Sequence, residues 1–456
     1  MNSTRISVIP VLALLATILG GCTQGNTSDD AAAGVAIPLG LERFLIFPNP
    51  QVAADGSGFE TTTAAYAQAY YAAIENGIPA KDTLDKWKAA NEFGTAGQEF
   101  NVVFRDVRDL GYGRRMTGRR NNADGSIAFF VENYHISTVP GGYSTINVDA
   151  AVAQDGQWHV GTNAIEWSCD PLPPGCARPF AKFYNFHPVT GARQIELDLD
   201  GRGVKAMPNV CINCHGGRGD PLTTGGTFAK VANAVSGQRG DVLAKLQGFN
   251  VDSFEWSTAP MYTRADQEAR LKIFNQWVLC TYPGGGTVTG SWGSCTQPSA
   301  SGNEWQATAA EMIEQWYGGP GMPNPQFSDT YIPTNWQAGN VGAPAENLYT
   351  QVVAPYCRTC HILRGTRDES DIDFMSLAKF NSYDDRIKAH VFDRGNMPLA
   401  FLVYGDFWRS SAPGLLATHI DGSLALAPPG SPGTATTASG GPRQPGRPIA
   451  DPGPVR

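Results

Sequence analysis

Two copies of the pattern Cys-x-x-Cys-His carry the clearest chemical signal in this sequence. Two thiols at this spacing can form thioethers to the two vinyl groups of one haem, and the following histidine is then placed to ligate the iron. A thiol–disulfide redox pair needs no such histidine, and a zinc site needs further ligands at a suitable spacing. The pattern therefore predicts two covalently bound c-type haems, held by Cys211, Cys214, His215, Cys357, Cys360 and His361.

The N-terminus has the features of an export signal. Arg5 supplies a positive start, and the apolar run Ile6–Leu19 is short for a membrane-spanning helix. The run is followed by Gly20-Gly21-Cys22, which resembles the lipobox of bacterial lipoproteins. The resemblance implies a signal peptide over residues 1–21, a lipid on Cys22 and a flexible tether over 22–40. We therefore expect an exported, membrane-anchored lipoprotein of the outer membrane that faces the periplasm, with the cell surface as the alternative.

Four of the nine cysteines remain after these assignments. An exported chain folds in an oxidising compartment, where cysteines usually pair. Proximity along the chain favours a disulfide between Cys169 and Cys176 and another between Cys280 and Cys295, although sequence alone does not fix connectivity. Four free thiols are the alternative.

The C-terminal motif is surrounded by helical patterns and a Met-Pro loop. The stretch Glu346–Val353 is amphipathic and leads into Cys357, and Met397-Pro398 follows the motif. With Phe407-Trp408 in a closing helix, residues 336–427 resemble a class I cytochrome c domain. The resemblance implies a small all-α fold and Met397 as the distal haem ligand, with His390 as the rival. A methionine ligand raises the reduction potential relative to a second histidine.

The first motif has no comparable Met-Pro loop, so its distal ligand stays open. It is followed by Gly216–Gly219, which we expect to give steric room near the porphyrin. Met207 lies just before the motif, from where it would have to reach round to the opposite haem face. An empty sixth position is a further alternative, and it would permit catalysis at the iron. The remaining candidates are Met116, Met261, His159 and His187.

The elements between the motifs predict an α+β fold. Ala- and Tyr-rich Glu60–Asn76 is expected to be helical. From about residue 98 to 200, alternating apolar residues and Asp-Gly turns predict an antiparallel sheet with strands at Ser126–Tyr134 and Ile146–Ala153. Thr263–Asp266 has the pattern of a capping box that opens a helix.

These patterns suggest an antiparallel β-rich domain with helices, followed by a small all-α domain. The α+β domain covers 41–335 and carries the first haem, and the cytochrome c-like domain covers 336–427 and carries the second. The Pro- and Gly-rich tail over 428–456 cannot bury enough apolar surface to fold and is expected to be disordered.

Charge and motifs narrow the function further. A net charge of -8 argues against general binding of nucleic acid, which needs clustered positive charge. The sequence has no nucleophile elbow, phosphate loop, His-Glu-x-x-His or dinucleotide fingerprint, so its chemistry is haem chemistry. We expect a dihaem cytochrome that transfers electrons between redox partner proteins. The enzymatic alternative resembles the bacterial dihaem peroxidases and oxygenases, in which one haem has an open face, and a third class is a binding module built on the β-rich part.

Overall fold

The computed structural model describes most of the chain between residues 63 and 422. Within the described ranges no helix combines the length and apolar character needed to cross a bilayer. The predicted signal segment and tether, Cys22, Cys295, Met397 and the C-terminal tail lie outside them. The ranges are 63–121, 124–136, 146–169, 176, 178–197, 199, 204–217, 220, 222–231, 234, 236–282, 298–302, 305–363, 374–393 and 401–422.

The described strands are interspersed with helices in the first part of the chain, and the described elements of the last part are all helical. The strands are β1 (Gln98–Asp106), β2 (Gly113–Arg120), β3 (Ile127–Tyr134), β4 (His159–Ser168), β5 (Phe180–Phe186), β6 (Glu196–Leu197), β7 (Lys205–Ala206) and β8 (Phe254–Glu255). The α-helices are α1 (Ala64–Ile74), α2 (Leu84–Ala90), α3 (Ile146–Ala153), α4 (Asn209–His215), α5 (Arg264–Thr281), α6 (Ala309–Gln315), α7 (Ala338–Val341), α8 (Ala343–Leu348), α9 (Arg358–His361), α10 (Leu377–Ser382), α11 (Asp384–Ile387), α12 (Phe401–Arg409) and α13 (Ala412–Ile420). Tyr349–Cys357 and Lys388–Asp393 are π-helical, and Val251–Ser253 and Thr334–Trp336 form 3-10 turns.

A six-stranded antiparallel sheet in the order β5-β4-β3-β2-β1-β8 forms the centre of the first part. The turn between β2 and β3 contains the predicted Asp-Gly pair: Gly125 has φ 72°, and the Ser126 amide donates to Asp124 Oδ1 over 2.9 Å. Together with the surrounding helices, the sheet gives a mixed α+β fold, which confirms the predicted fold class at that level.

The strand predicted at Ile146–Ala153 is wrong, because these residues form helix α3. The alternation of apolar residues there is real, but three alanines favour a helix. Its buried residues Asn147, Val148, Ala150 and Ala151 recur at helical spacing. The helix lies against β2 so closely that a Cβ at Gly113 would overlap the Asn147 carbonyl.

Both faces of the sheet are buried. Alternate side chains point to opposite faces of a strand, so each strand contributes to two cores. On one face Met116 and Phe129 pack with Phe274 and Trp277 of α5, which begins at the predicted capping box of Thr263. On the other face Phe130 and Tyr184 pack with α1 and α2 through Tyr70 and Trp87.

The C-terminal helices have a hydrophobic core of their own. Trp336, Phe380 and Phe407 are among its buried residues, and its members all come from residues 332–420. The indole Nε1 of Trp336 donates to the Phe374 carbonyl over 3.0 Å, which ties the start of this part to its middle.

Candidate haem site at the junction of the two motifs

The two Cys-x-x-Cys-His motifs, expected in separate domains, lie side by side. Although 146 residues separate them in sequence, Cys214 Sγ lies 3.4 Å from Cys360 Sγ. The first motif forms most of α4, and the second spans the end of the π-helical segment and α9. None of the four motif cysteines is in a disulfide. The fold therefore presents four thiols and two histidines at one junction.

One side chain connects the backbones of both motifs. The amide Nε2 of Gln247 donates to the carbonyl of Cys214 and to the carbonyl of Thr359, the latter over 2.5 Å. A single glutamine thus links the two motifs directly.

The glycines after the first motif lie against the backbone of other segments of the chain. Gly216 has φ 70°, and a Cβ there would overlap the carbonyl of Leu363, just past the second motif. Gly217 has φ 85°, and a Cβ there would overlap the Val242 carbonyl. Because Gly216 and Gly217 have no side chain, other segments of the chain pack closely against them. One of these segments directly follows the second motif.

The ring of His215 is oriented by a backbone hydrogen bond. Its Nδ1 lies 2.8 Å from the carbonyl oxygen of Lys245 and donates to it, which leaves the Nε2 lone pair for a metal. Burial lowers the pKa of His215, so the neutral imidazole that iron requires is favoured. Asp109 raises this pKa and Arg114 lowers it, which places that ion pair near the ring. The ring also lies 5.2 Å from that of Phe183 in β5.

The second motif has an apolar setting. The ring of His361 stacks on Phe374 with centroids 4.2 Å apart and planes at 15°. Burial raises the pKa of the Cys357 thiol to about 12, and it does the same for Cys211 in the first motif. Thiols that stay protonated at neutral pH do not coordinate a metal readily as thiolates. Within the described residues no group of three or more His, Cys, Asp or Glu side chains is arranged to hold a metal ion.

One cavity of about 320 Å³ touches both motifs. Its walls are the face of the sheet that carries Met116 and Phe129, helix α6, and the C-terminal helices with Phe380 and Phe407. The guanidinium groups of Arg108, Arg114 and Arg358 also line it. An apolar cavity with arginines, two histidines and paired thiols fits a porphyrin with carboxylate side chains.

No family model, curated protein or solved structure matches this chain. The cavity and its lining residues therefore carry the functional argument.

A buried carboxylate holds the junction together. Asp329 accepts hydrogen bonds from Arg358 inside the second motif, from Arg108 over 3.1 Å, and from Asn250 over 2.8 Å. It also accepts from Trp316 Nε1 over 3.0 Å. Burial raises the pKa of Asp329, but the two arginines outweigh this effect and hold it at about 2. The carboxylate is therefore charged at neutral pH and bridges the two parts of the chain.

The carboxyl group of Asp106 also lines the cavity, and its pKa is raised whereas that of Asp329 is lowered. Burial and the neighbouring Asp109 raise the pKa of Asp106 to about 7, although Arg114 and the Arg108 amide lower it. Asp106 therefore titrates close to neutral pH.

The four sequence candidates for the first distal ligand occupy different places. Met116 is buried and lines the cavity. Met261 is 68% exposed. His159 stacks on Tyr134 and lies 3.1 Å from the Thr162 hydroxyl, and His187 accepts two backbone amides in an exposed turn. Met207 packs behind the motif, with its sulfur 3.8 Å from Cys211 Sγ.

The cysteines outside the motifs form disulfides where the structure describes them. Cys169 and Cys176 are joined, as their proximity suggests. Cys280 is also in a disulfide, and its partner lies outside the described residues.

Sequence reasoning missed three contributors to the site: Gln247, Lys245 and Asp329. Lys245 acts through its carbonyl, which has no sequence signal. Gln247 lies 33 residues after Cys214 and Asp329 lies 29 residues before Arg358, so no local pattern connects either residue to a motif.

Proposed function

We propose that this protein is an exported dihaem c-type cytochrome that transfers electrons between redox partner proteins. One haem is attached at Cys211 and Cys214 with His215 as proximal ligand. The other is attached at Cys357 and Cys360 with His361. The observation that carries the proposal is the meeting of both motifs in one apolar cavity, with Cys214 and Cys360 sulfurs 3.4 Å apart.

Each haem, when bound, supplies an iron that accepts and releases one electron. The chain contributes the surroundings that make this transfer efficient. The Lys245 carbonyl orients the ring of His215 through Nδ1, and burial lowers the pKa of His215 and so favours the neutral imidazole. The mainly apolar wall would surround the porphyrin rings, and the lining arginines, which pair with Asp329 and Asp109, would lie near carboxylate substituents. Gln247 links the backbones of both motifs, so the two haems would be neighbours in the folded chain.

The C-terminal part supports a cytochrome c-like domain. Its helices enclose a core of their own, and the ring of His361 is covered by Phe374 from that core. In this proposal Met397 completes the iron coordination of the second haem, and lipidated Cys22 anchors the protein at the outer membrane. Both residues lie outside the described part of the chain.

A haem enzyme of the peroxidase or oxygenase type is the second candidate. Such an enzyme needs an open iron face and a nearby acid–base group. Asp106 lines the cavity with a pKa of about 7 and has the properties of such a group. A methionine in the same cavity, Met116, favours the carrier instead, because a sixth ligand closes the face that peroxide would use.

Electron paramagnetic resonance of the oxidised, exported protein, recorded before and after peroxide, separates the two candidates. An electron carrier shows two low-spin irons that do not react with peroxide. A high-spin iron that reacts quickly would favour the enzyme, and fewer than two haems per chain by pyridine haemochrome assay would overturn both candidates.

A further inference from the structure

We infer that Met116 is the distal iron ligand of the haem attached at the first motif. This inference rests on the proposed function, since it presumes a haem at Cys211 and Cys214. It assigns the coordination position that the sequence leaves open.

The placement of Met116 in the sheet is the first reason. Met116 lies in β2, is 3% exposed, and lines the cavity that His215 also lines. It stands two residues from Gly118, which pairs with Phe129, so the side chains of Met116 and Phe129 share one face of the sheet. The thioether is therefore held by packed β structure inside the cavity.

The relation of Met116 to His215 is the second reason. The pairing continues from Phe129 to Ile165 and from Ile165 to Phe183, so Phe183 belongs to the same face. The ring of His215 lies 5.2 Å from that of Phe183. Strands β2 and β5 are three strand spacings apart, about 14 Å. Met116 and the Phe183 ring beside His215 therefore lie on one wall of the cavity with room for a porphyrin between them, whereas Met207 packs beside Cys211.

Met312 is the rival within the cavity, because it lines the same space from α6. The end of α6 lies beside the second motif. Trp316, the residue after α6, donates its indole N–H to Asp329, and its ring lies 6.0 Å from the guanidinium of Arg358. Met116, by contrast, lies near the first motif. Its neighbour on the same face of β2 is Arg114, which forms an ion pair with Asp109 close to His215. The surroundings thus assign Met116 to the first motif.

The chemistry of the assignment is consistent with electron transfer. A thioether is a neutral, soft ligand that stabilises reduced iron and raises the reduction potential relative to a second histidine. A haem with His215 and Met116 as axial ligands is six-coordinate, low-spin and closed to peroxide.

Methionine-to-leucine variants of the full-length, exported protein test the inference, because leucine keeps the volume and removes the sulfur. Proton NMR of the reduced protein counts ligated methionines through their upfield-shifted methyl resonances. Met116→Leu should remove one set of these resonances and give a first haem that binds carbon monoxide. Met312→Leu, the matched control from the same cavity, should leave the spectrum and carbon monoxide binding as in the wild type.

A histidine variant guards against misfolding. Met116→His should restore a low-spin six-coordinate iron with a lower reduction potential, which a merely structural role for Met116 would not produce. Unchanged methyl resonances in Met116→Leu, or their loss in Met312→Leu instead, would overturn the inference. The pyridine haemochrome assay on the same samples keeps the outcomes distinct, since a count of two haems with unchanged resonances refutes only Met116, and a lower wild-type count refutes the haem assignment itself.

Discussion

The two motifs reach the same cavity by different routes. The surroundings of the second motif come from nearby sequence: Phe374 covers His361, and Phe380 and Phe407 complete the wall. The first motif is surrounded by residues from across the chain, with Phe183 from β5 and the Lys245 carbonyl beside His215. A locally built site is recognisable as a sequence pattern, whereas a site built by a sheet becomes visible only after folding.

The largest expected effect is the loss of one covalently attached haem when the two cysteines of one motif are removed. Cys211→Ser with Cys214→Ser should leave one covalent haem per chain, and Cys357→Ser with Cys360→Ser should leave the other. Pyridine haemochrome assay and mass spectrometry of the exported protein count the attached haems. Two haems remaining in either double variant would contradict the assignment of that motif.

Asp329 tests whether the two regions depend on one junction. Asp329→Asn leaves buried Arg358 and half-buried Arg108 without their carboxylate, so we expect a loss of about 3–5 kcal/mol in the free energy of unfolding, measured by urea denaturation. Asp406→Asn is the control, because its ion pair with Arg409 is exposed and contributes about 0–1 kcal/mol. Equal, small effects of both substitutions would mean that Asp329 does not hold the junction.

The same carboxylate predicts the direction of the pH dependence of stability. The folded pKa of Asp329, about 2, is below its usual value, so its contribution is fully present above pH ~4 and is lost as the pH falls toward 2. Comparing urea denaturation of the wild type and Asp329→Asn across this window isolates the contribution, because the difference should shrink with acidification. A difference that stays constant would contradict the depressed pKa.

Gln247 tests the link between the motifs with a smaller effect. Gln247→Leu leaves the Cys214 and Thr359 carbonyls without this donor, which should cost about 1–3 kcal/mol in the free energy of unfolding. It should also change the electronic coupling between the two haems, visible in Soret circular dichroism. Gln157→Leu, at an exposed position, is the control and should change neither quantity. If both variants behave alike, the glutamine bridge has no part in the coupling.

The smallest expected effect is on the pH dependence of a reduction potential, and it depends on Asp106. Ionisation of Asp106 above pH ~7 adds negative charge beside the cavity, which stabilises oxidised iron, so a reduction potential should fall as pH rises through 7. Asp106→Asn should flatten this dependence in a potentiometric titration, with Asp109 and Arg114 unchanged. A potential that falls equally in both proteins would show that another group titrates.

The predictable part of the molecule is the part encoded in short stretches of sequence. The thiol–histidine patterns, the Asp124-Gly125 turn and the capping box at Thr263 each depend on residues within a few positions of one another. The strand predicted at Ile146–Ala153 failed because alternation over eight residues also fits an alanine-rich helix, and the packing against Gly113 decides between them.

The meeting of the two motifs could not be predicted for a related reason. It depends on the contact of Gly216 with Leu363 and on the hydrogen bond from Gln247 to the Thr359 carbonyl, and both join segments more than a hundred residues apart. The sequence predicts two separate haem domains because each motif is self-contained as a pattern. Only tertiary packing brings Cys214 to Cys360.

Soret circular dichroism of the oxidised wild-type protein tests the central claim, that both motifs hold haems within one cavity. Two haems attached at sulfurs 3.4 Å apart should couple and give a paired positive and negative band. This couplet should be absent from the summed spectra of the two single-motif variants. A wild-type spectrum equal to that sum would contradict the account, because it would mean that the haems are absent or too distant to interact.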